Sequence, residues 1–281
     1  MAVTIVVTGA TGQVGRQVVG GLVAAGARVR AVTRRPEQAG LPEGVRVFKG
    51  DLDTPESLSA AFAGAEKLYL FPVPETASQV VDLAKQAGIR RIVVLSSSSV
   101  LEEGSHSGEH HLAVERAVED SGLEWTFVRG DEFAVNVLWK WGEAIRSGDL
   151  VRAPYAEAVR VMVHEADVAG VAVAALLGDE LVGSAPVVTG PEQLSQAEQI
   201  RIIGEVLGRD IRLTEIPPRE ARAEMVRFMP EPVVDMVLGI LADAVQSPPQ
   251  VATGVEEILG RPLKTFAEWV ADHADDFRRA G

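Results

Sequence analysis

Apolar and polar positions fall into short blocks along the first half of the chain. Val3–Thr8 is a β-branched run of the kind that lies buried on both faces of a parallel sheet. In Gly12–Ala25 the period changes: Val14, Val18, Val19, Leu22 and Val23 form one helical stripe, closed by Gly26. Strand-like segments follow at Ala27–Val32, Val45–Phe48, Lys67–Phe71, Arg91–Leu95 and Trp125–Arg129. Helical patterns lie between them at Pro55–Ala63, Glu75–Ala87 and Glu109–Asp120. The first of these has Thr54 as its expected N-cap and Pro55 at its first helical position. Repeated βα units at this spacing predict an α/β fold with a doubly wound parallel sheet and right-handed crossovers.

Beyond residue 130 the elements become less regular. A helix is expected over Asp131–Arg146, then Val159–Val163, a helix Glu165–Leu177, Pro186–Thr189, a helix Ser195–Leu207 and Ile211–Glu215. The tail from Arg219 reads as mostly helical, broken at Pro230, Pro232, Pro248, Pro249 and Pro262.

Length and charge narrow the function. A chain of 281 residues, 47% of them hydrophobic, buries roughly 75% of its unfolded surface. Lys and Arg number 27 against 40 Asp and Glu, a net charge of −13. That balance argues against nucleic acid or an anionic membrane as partner. The charge is uneven, however. Residues 1–50 carry seven cations (Arg16, Arg28, Arg30, Arg34, Arg35, Arg46, Lys49) and only two acids. A basic patch in an acidic protein points to one local anionic ligand. With no cysteine, disulfides, thiolate metal sites and a cysteine nucleophile are excluded, and no metal site is expected. No stretch reaches eighteen apolar residues without a charge, and the opening residues lack a basic leader. A cytoplasmic location is the expectation.

The anion is specified by the first turn. The segment VVTGATGQVGRQVV sets Gly9, Gly12 and Gly15 between the first strand and the first helix. Gly9 suits a tight turn, Gly12 lets backbone approach a pyrophosphate, and Gly15 lets the helix pack close to the sheet. The helix start offers unpaired N–H groups to phosphate oxygens. With GxxGxxG spacing, between a strand and an amphipathic helix, this reads as a Rossmann-type dinucleotide loop; the alternative is a purely structural turn. An NAD site usually has Asp or Glu at the tip of the second strand, but here the chain reads Thr33-Arg34-Arg35-Pro36. Two guanidinium groups suit a 2′-phosphate, each charge-assisted bond adding roughly 1.5–3 kcal/mol; the alternative is a pair of solvated surface arginines. One such bond gives about tenfold preference for NADPH over NADH. Asp51, in GDLD after the third strand, is a plausible acceptor for the adenine amino group; the alternative is a local capping role, which suits Asp53 and Thr54 better.

GATGQVG, the Arg pair, GDLD, LSSSSV and LEWTFVRGDEFAVN together resemble the NmrA-like branch of the atypical short-chain dehydrogenase/reductase family. That branch includes NADPH-dependent quinone reductases, isoflavone-reductase-like enzymes and redox-sensing regulators. The likeness runs over nearly the whole chain. It implies that Gly9, Thr11, Gly12, Gln13 and Val14 wrap the pyrophosphate, and that Asp51 and Leu52 contact adenine. It also implies that Phe71 and Pro72 line the ribose and nicotinamide side and that Ser96 and Ser97 approach the nicotinamide. On this reading residues 1–150 form the NAD(P)-binding domain. Residues 151–281 partly complete the sheet and partly form a smaller, mostly helical substrate cap.

One family feature is missing. Ordinary members carry Tyr-x-x-x-Lys, yet Tyr69 is followed four residues on by Val73, and Tyr155 by Val159. In its place the helix GEHHLAVERAVEDSG offers His111 and Glu115, four apart on one face. A carboxylate there would raise the imidazole pKa and make His111 a proton donor; the alternative is a structural pair. His164 is expected to fix a strand–helix junction with Asp167. Phe133, Trp139 and the later Met225 and Phe228 are candidate lining for an apolar pocket, with Asn136 implied by the resemblance. Such a pocket suits a small apolar or aromatic acceptor: a quinone, enone or activated carbonyl. The rival reading is a non-catalytic NADP(H) sensor that meets a regulatory protein; a homodimer is also open.

Overall fold

The structure is a computed structural model and describes residues 3–102 and 104–278. Two compact units are present. The first comprises the chain up to Asp131, Glu165–Val188 and Gly254–Pro262; the second comprises Glu132–His164, Thr189–Thr253 and the chain from Leu263 onward. A single cut at residue 150 does not describe this division, because the chain passes between the units several times.

In the first unit the chain runs β1 (Thr4–Val7), α1 (Gln13–Ala24), β2 (Arg28–Thr33), β3 (Arg46–Lys49), α2 (Ser59–Phe62), β4 (Lys67–Leu70), α3 (Ala77–Gln86), β5 (Arg91–Ser97), α4 (His106–Asp120) and β6 (Glu124–Gly130). The second unit then contributes α5 (Asn136–Ser147), β7 (Leu150–Ala153) and β8 (Val159–Arg160). The first resumes with α6 (Glu165–Leu177) and β9 (Val187–Val188). The second continues with β10 (Leu194–Ser195), α7 (Gln196–Leu207), β11 (Arg212–Glu215), α8 (Pro218–Met225) and α9 (Glu231–Gln246). The last elements are α10 (Val255–Leu259) in the first unit and α11 (Phe266–Asp272) in the second.

Seven strands form one parallel sheet in the order β3-β2-β1-β4-β5-β6-β9, a Rossmann-like α/β arrangement. From β1 the chain first winds outward through β2 and β3, then returns to lay β4 on the other side. β1 and β4 therefore flank the topological switch point, where such sheets bind ligands beyond their carboxyl ends. On one face Phe62, Val80, Val81, Val114, Val118 and Phe127 share a buried cluster with Leu68, Ile92 and Val94. On the other, α1 packs against α6 so closely that a Cβ on Gly21 would lie 2.9 Å from Val173 Cγ2. Helix α6 is apolar on nearly every side because it meets sheet, α1 and α10 together.

The second unit has its own core, in which Trp141, Ile145, Ile200, Ile203, Phe266, Trp269 and Phe277 are buried together. β7 pairs in parallel with β11, and β8 antiparallel with β10. Reciprocal capping boxes, Ser195 with Glu198 and Thr265 with Glu268, start α7 and α11.

Several elements differ from expectation in start or character. Pro55–Ala63 is a 3₁₀ turn, Pro55–Leu58, followed by the single turn of α2. Thr54 does not cap it with its side chain; the Ser57 hydroxyl instead accepts from Asp51 N–H at 2.9 Å and donates toward the Thr54 carbonyl at 2.6 Å. α4 begins at His106 rather than Glu109, because Ser105 accepts a capping bond from Gly108 N–H. α5 begins at Asn136 rather than Asp131: Phe133 first bridges Val163 in extended backbone.

Candidate functional site

The carboxyl ends of β1 and β4 are bolted together by Thr8, which is fully buried. Its hydroxyl donates to the Tyr69 carbonyl at 3.0 Å and accepts from Phe71 N–H at 2.8 Å. Gly9 follows at φ +59°, where a side chain would be strained and would also meet Phe71 Cβ at 3.0 Å. Gly12 is the N-cap of α1, its N–H bonded to the Gly9 carbonyl at 3.0 Å. A Cβ on Gly15 would collide with the Gly9 carbonyl oxygen, so only glycine lets the helix start this close to the turn. No side chain caps α1 and no carboxylate stands in its first turn. The N–H groups of Gln13, Val14 and Gly15 consequently have no intrahelical acceptor and face the edge with a partial positive charge. The Val14 side chain is buried, so only its backbone is on offer; Gln13 is exposed and Thr11 half-buried.

β2 ends beside this turn, in register with β1. Arg34 and Arg35 beyond it are exposed, and among the described residues neither guanidinium has a protein partner. Arg16 behaves differently: it reaches from α1 to the Ala39 and Gly40 carbonyls, at 3.2 and 2.8 Å, and ties down the loop that carries the Arg pair. Asp51 is half-buried, with Oδ1 accepting from Asp53 N–H at 3.2 Å. Leu52 packs on the core and its carbonyl accepts from Thr76 Oγ1. Phe71 is 44% exposed against the glycine turn, while Pro72 is buried.

At the end of β5 the structure corrects two expectations. Ser96 is buried, and its hydroxyl donates to Glu115 Oε1 at 2.6 Å; it is turned into the protein, not toward a ligand at the edge. Ser97 remains at the edge, half-buried, accepting from Ser99 N–H and Oγ. Glu115 is 2% exposed and held by the Arg129 fork, Nε at 3.0 Å and Nη2 at 2.7 Å. With its charge thus engaged, it does not turn His111 into a charged acid. Burial, with help from His110, holds the His111 imidazole below its ordinary value despite the opposing pull of Glu115. Nδ1 of His111 is buried without a hydrogen-bond partner. Tyr69 is no substitute acid, since burial drives its phenol far up.

In the second unit Phe133 and Asn136 are half-buried, and Trp139 is 59% exposed while Trp141 is buried. Glu132 binds both Lys140 and Arg160; burial pushes its carboxyl up, but the two cations prevail and hold it below the usual range. Met225 ends α8 and packs against the cluster of Ile216, Ala221, Val234 and Leu238. Phe228 lies past the end of that helix, not on it, and is 86% exposed. His164 Nε2 stands 3.2 Å from Asp272. In the first unit Asp167 binds Arg261 at 2.7 Å.

The structure thus gathers the glycine turn, the Arg pair, Asp51, Phe71, Ser97 and His111 along one sheet edge. Sequence reasoning missed Thr8 and Arg129, and it placed Arg16 in the ligand patch rather than on the Ala39 and Gly40 carbonyls. The signal for Arg129 was present: Glu115 lies on the apolar stripe of its helix beside Val114 and Val118, and a buried carboxylate requires a cation. Among the described residues no helix is long and apolar enough to cross a membrane.

Residues 9–179 match a family model described as NAD(P)H-binding. The chain is 38% identical to a (4-alkanoyl-5-oxo-2,5-dihydrofuran-3-yl)methyl phosphate reductase of Streptomyces griseus, over 97% of this chain and 99% of that one. It is 32% identical to an NAD(P)H azoreductase of Xenophilus azovorans, over 98% and 100%. The fold is shared with triphenylmethane reductase of Citrobacter sp., solved with NADP(H), at a TM-score of 0.80, 24% identity and 96% and 99% coverage. The chain belongs to this NAD(P)H-binding family of oxidoreductases.

Proposed function

We propose that the protein is an NADPH-dependent reductase that delivers hydride to an electron-poor conjugated acceptor: a quinone, an enone or an activated carbonyl. The observation that carries this reading is the uncapped start of α1 with two guanidinium groups on the same sheet edge that have no partner among the described residues. The N–H groups of Gln13, Val14 and Gly15 hold the pyrophosphate, with Gly9, Thr11 and Gly12 shaping the turn around it. Arg34 and Arg35 take the 2′-phosphate. Asp51 and Leu52 meet the adenine, and Phe71, Pro72 and Ser97 wall the nicotinamide end.

When bound, the reduced nicotinamide supplies the hydride. A conjugated acceptor spreads the incoming charge over its own atoms, so it needs no Tyr/Lys acid. The Streptomyces relative supports this choice, since its name describes an acylated dihydrofuranone, a ring with a conjugated, electron-poor double bond. His111 acts as a neutral imidazole that polarises the acceptor carbonyl. In the second unit by itself, the exposed Trp139 and Phe228 rings are of a kind that stacks on flat molecules. No observation favours the regulator reading over catalysis.

Anaerobic NADPH oxidation against a panel of quinones and enones tests the proposal. Turnover with at least one class, faster with NADPH than with NADH, is expected; tight NADPH binding without turnover overturns the catalytic reading.

A further inference from the structure

Gly108, His111 and Glu115 lie at i, i+3 and i+7 on α4 and share one face of that helix. Both ends of this face are anchored to the end of β5. At Gly108 the contact is so close that a Cβ would collide with the Ser99 carbonyl, and no larger residue allows it. At Glu115 the carboxylate takes the Ser96 hydroxyl on β5 and the Arg129 fork on β6, three bonds of 2.6–3.0 Å. Ser96 and Arg129 are themselves register partners across the two strands. His111 sits between the anchors and, among the described residues, makes no hydrogen bond through Nδ1 that would fix its own position. Its placement at the edge is therefore set by its neighbours on the helix.

We infer that Glu115, clamped by Arg129 and Ser96, is a positioning residue that seats the His111 face of α4 against the carboxyl end of β5 and so sets turnover without contacting the cofactor. The inference rests on the proposed reductase reading. Ionic and hydrogen-bonded anchoring suits this task because a fork–carboxylate pair fixes direction as well as distance.

The test compares wild type, Glu115→Gln and Ser96→Ala by turnover, by NADPH affinity and by the histidine Cε1–H signals in cofactor-free protein, with His111→Asn assigning the resonance. Glu115→Gln is expected to lower kcat about tenfold while NADPH affinity stays within twofold. It should also displace or broaden the His111 signal and leave those of His164 and His273, in the second unit, unmoved. Ser96→Ala, which keeps the Glu–Arg pair and hence the fold, should show the same pattern at about a third of the loss. An unmoved His111 signal, unchanged kcat in both variants, or a loss of kcat matched by a loss of NADPH affinity overturns the inference. A wild type that binds NADPH but turns over no acceptor sinks the functional reading and this inference together; an active wild type with an equally active Glu115→Gln sinks this inference alone.

Discussion

The two edges of the parallel sheet treat charge in opposite ways. At the amino edge, Arg91 is 4% exposed by side chain and engages Glu124, Asp179 and the Ala175 and Gly178 carbonyls. Lys67 beside it donates to the Leu176 carbonyl at 2.6 Å, its ammonium held below the ordinary range by burial and by Arg91. Together the two cations satisfy the carbonyls that end α6, where the helix dipole is negative. At the carboxyl edge Glu115 is paired with Arg129, but among the described residues other groups are left open: the N–H groups that start α1, the Arg34 and Arg35 guanidiniums and His111 Nδ1. Charge that is fully paired supports the fold. Charge and N–H groups held in place without partners are what a ligand can use.

Substitutions at the two edges should therefore separate stability from binding. Arg91→Met should have the largest effect on folding, lowering the unfolding free energy by about 3 kcal/mol as several bonds to a charged group are lost. Denaturant titration measures it, and NADPH affinity of the folded variant should be unchanged. Gly15→Ala comes next. A methyl driven into the Gly9 carbonyl costs about 1–3 kcal/mol of stability, and NADPH affinity falls with it, so this variant loses both properties. Arg34→Ala with Arg35→Ala should change stability by less than about 0.5 kcal/mol. Its loss is in NADPH affinity, about tenfold or more, or about 1.4 kcal/mol, with NADH binding unaltered; an equal loss for both cofactors would remove the 2′-phosphate role.

The smallest effect concerns pH. Burial lowers the His111 pKa in the folded protein below its ordinary 6.5, so the unfolded chain takes up the proton first. Its contribution to stability is complete above about pH 6.5 and is lost as pH falls through the folded pKa. His111→Asn should flatten the thermal-stability curve just below pH 6.5 and leave it unchanged at pH 8.

Much of this contrast was legible in the chain. The glycine spacing and the absence of an acid at Thr33-Arg34-Arg35 marked the open edge, because both follow from local backbone and side-chain chemistry. The period change from Val3–Thr8 to Val14–Leu22 marked the βα order for the same reason. What escaped depends on contacts distant in sequence. Ser96 reads as an exposed strand-end hydroxyl until Glu115, 19 residues away, claims it. Arg16 reads as part of a ligand patch until it is seen holding Ala39 and Gly40. Pairing of His111 with Glu115 was a sound inference from helical spacing alone, and Arg129 on another strand overrode it.

A fluorescence titration of the wild-type protein with NADPH and with NADH tests the central claim most directly. Saturable NADPH binding at least tenfold tighter than NADH binding is the result predicted by an open α1 start beside two unclaimed guanidiniums. Equal affinity for the two dinucleotides, or saturation by neither, would contradict it.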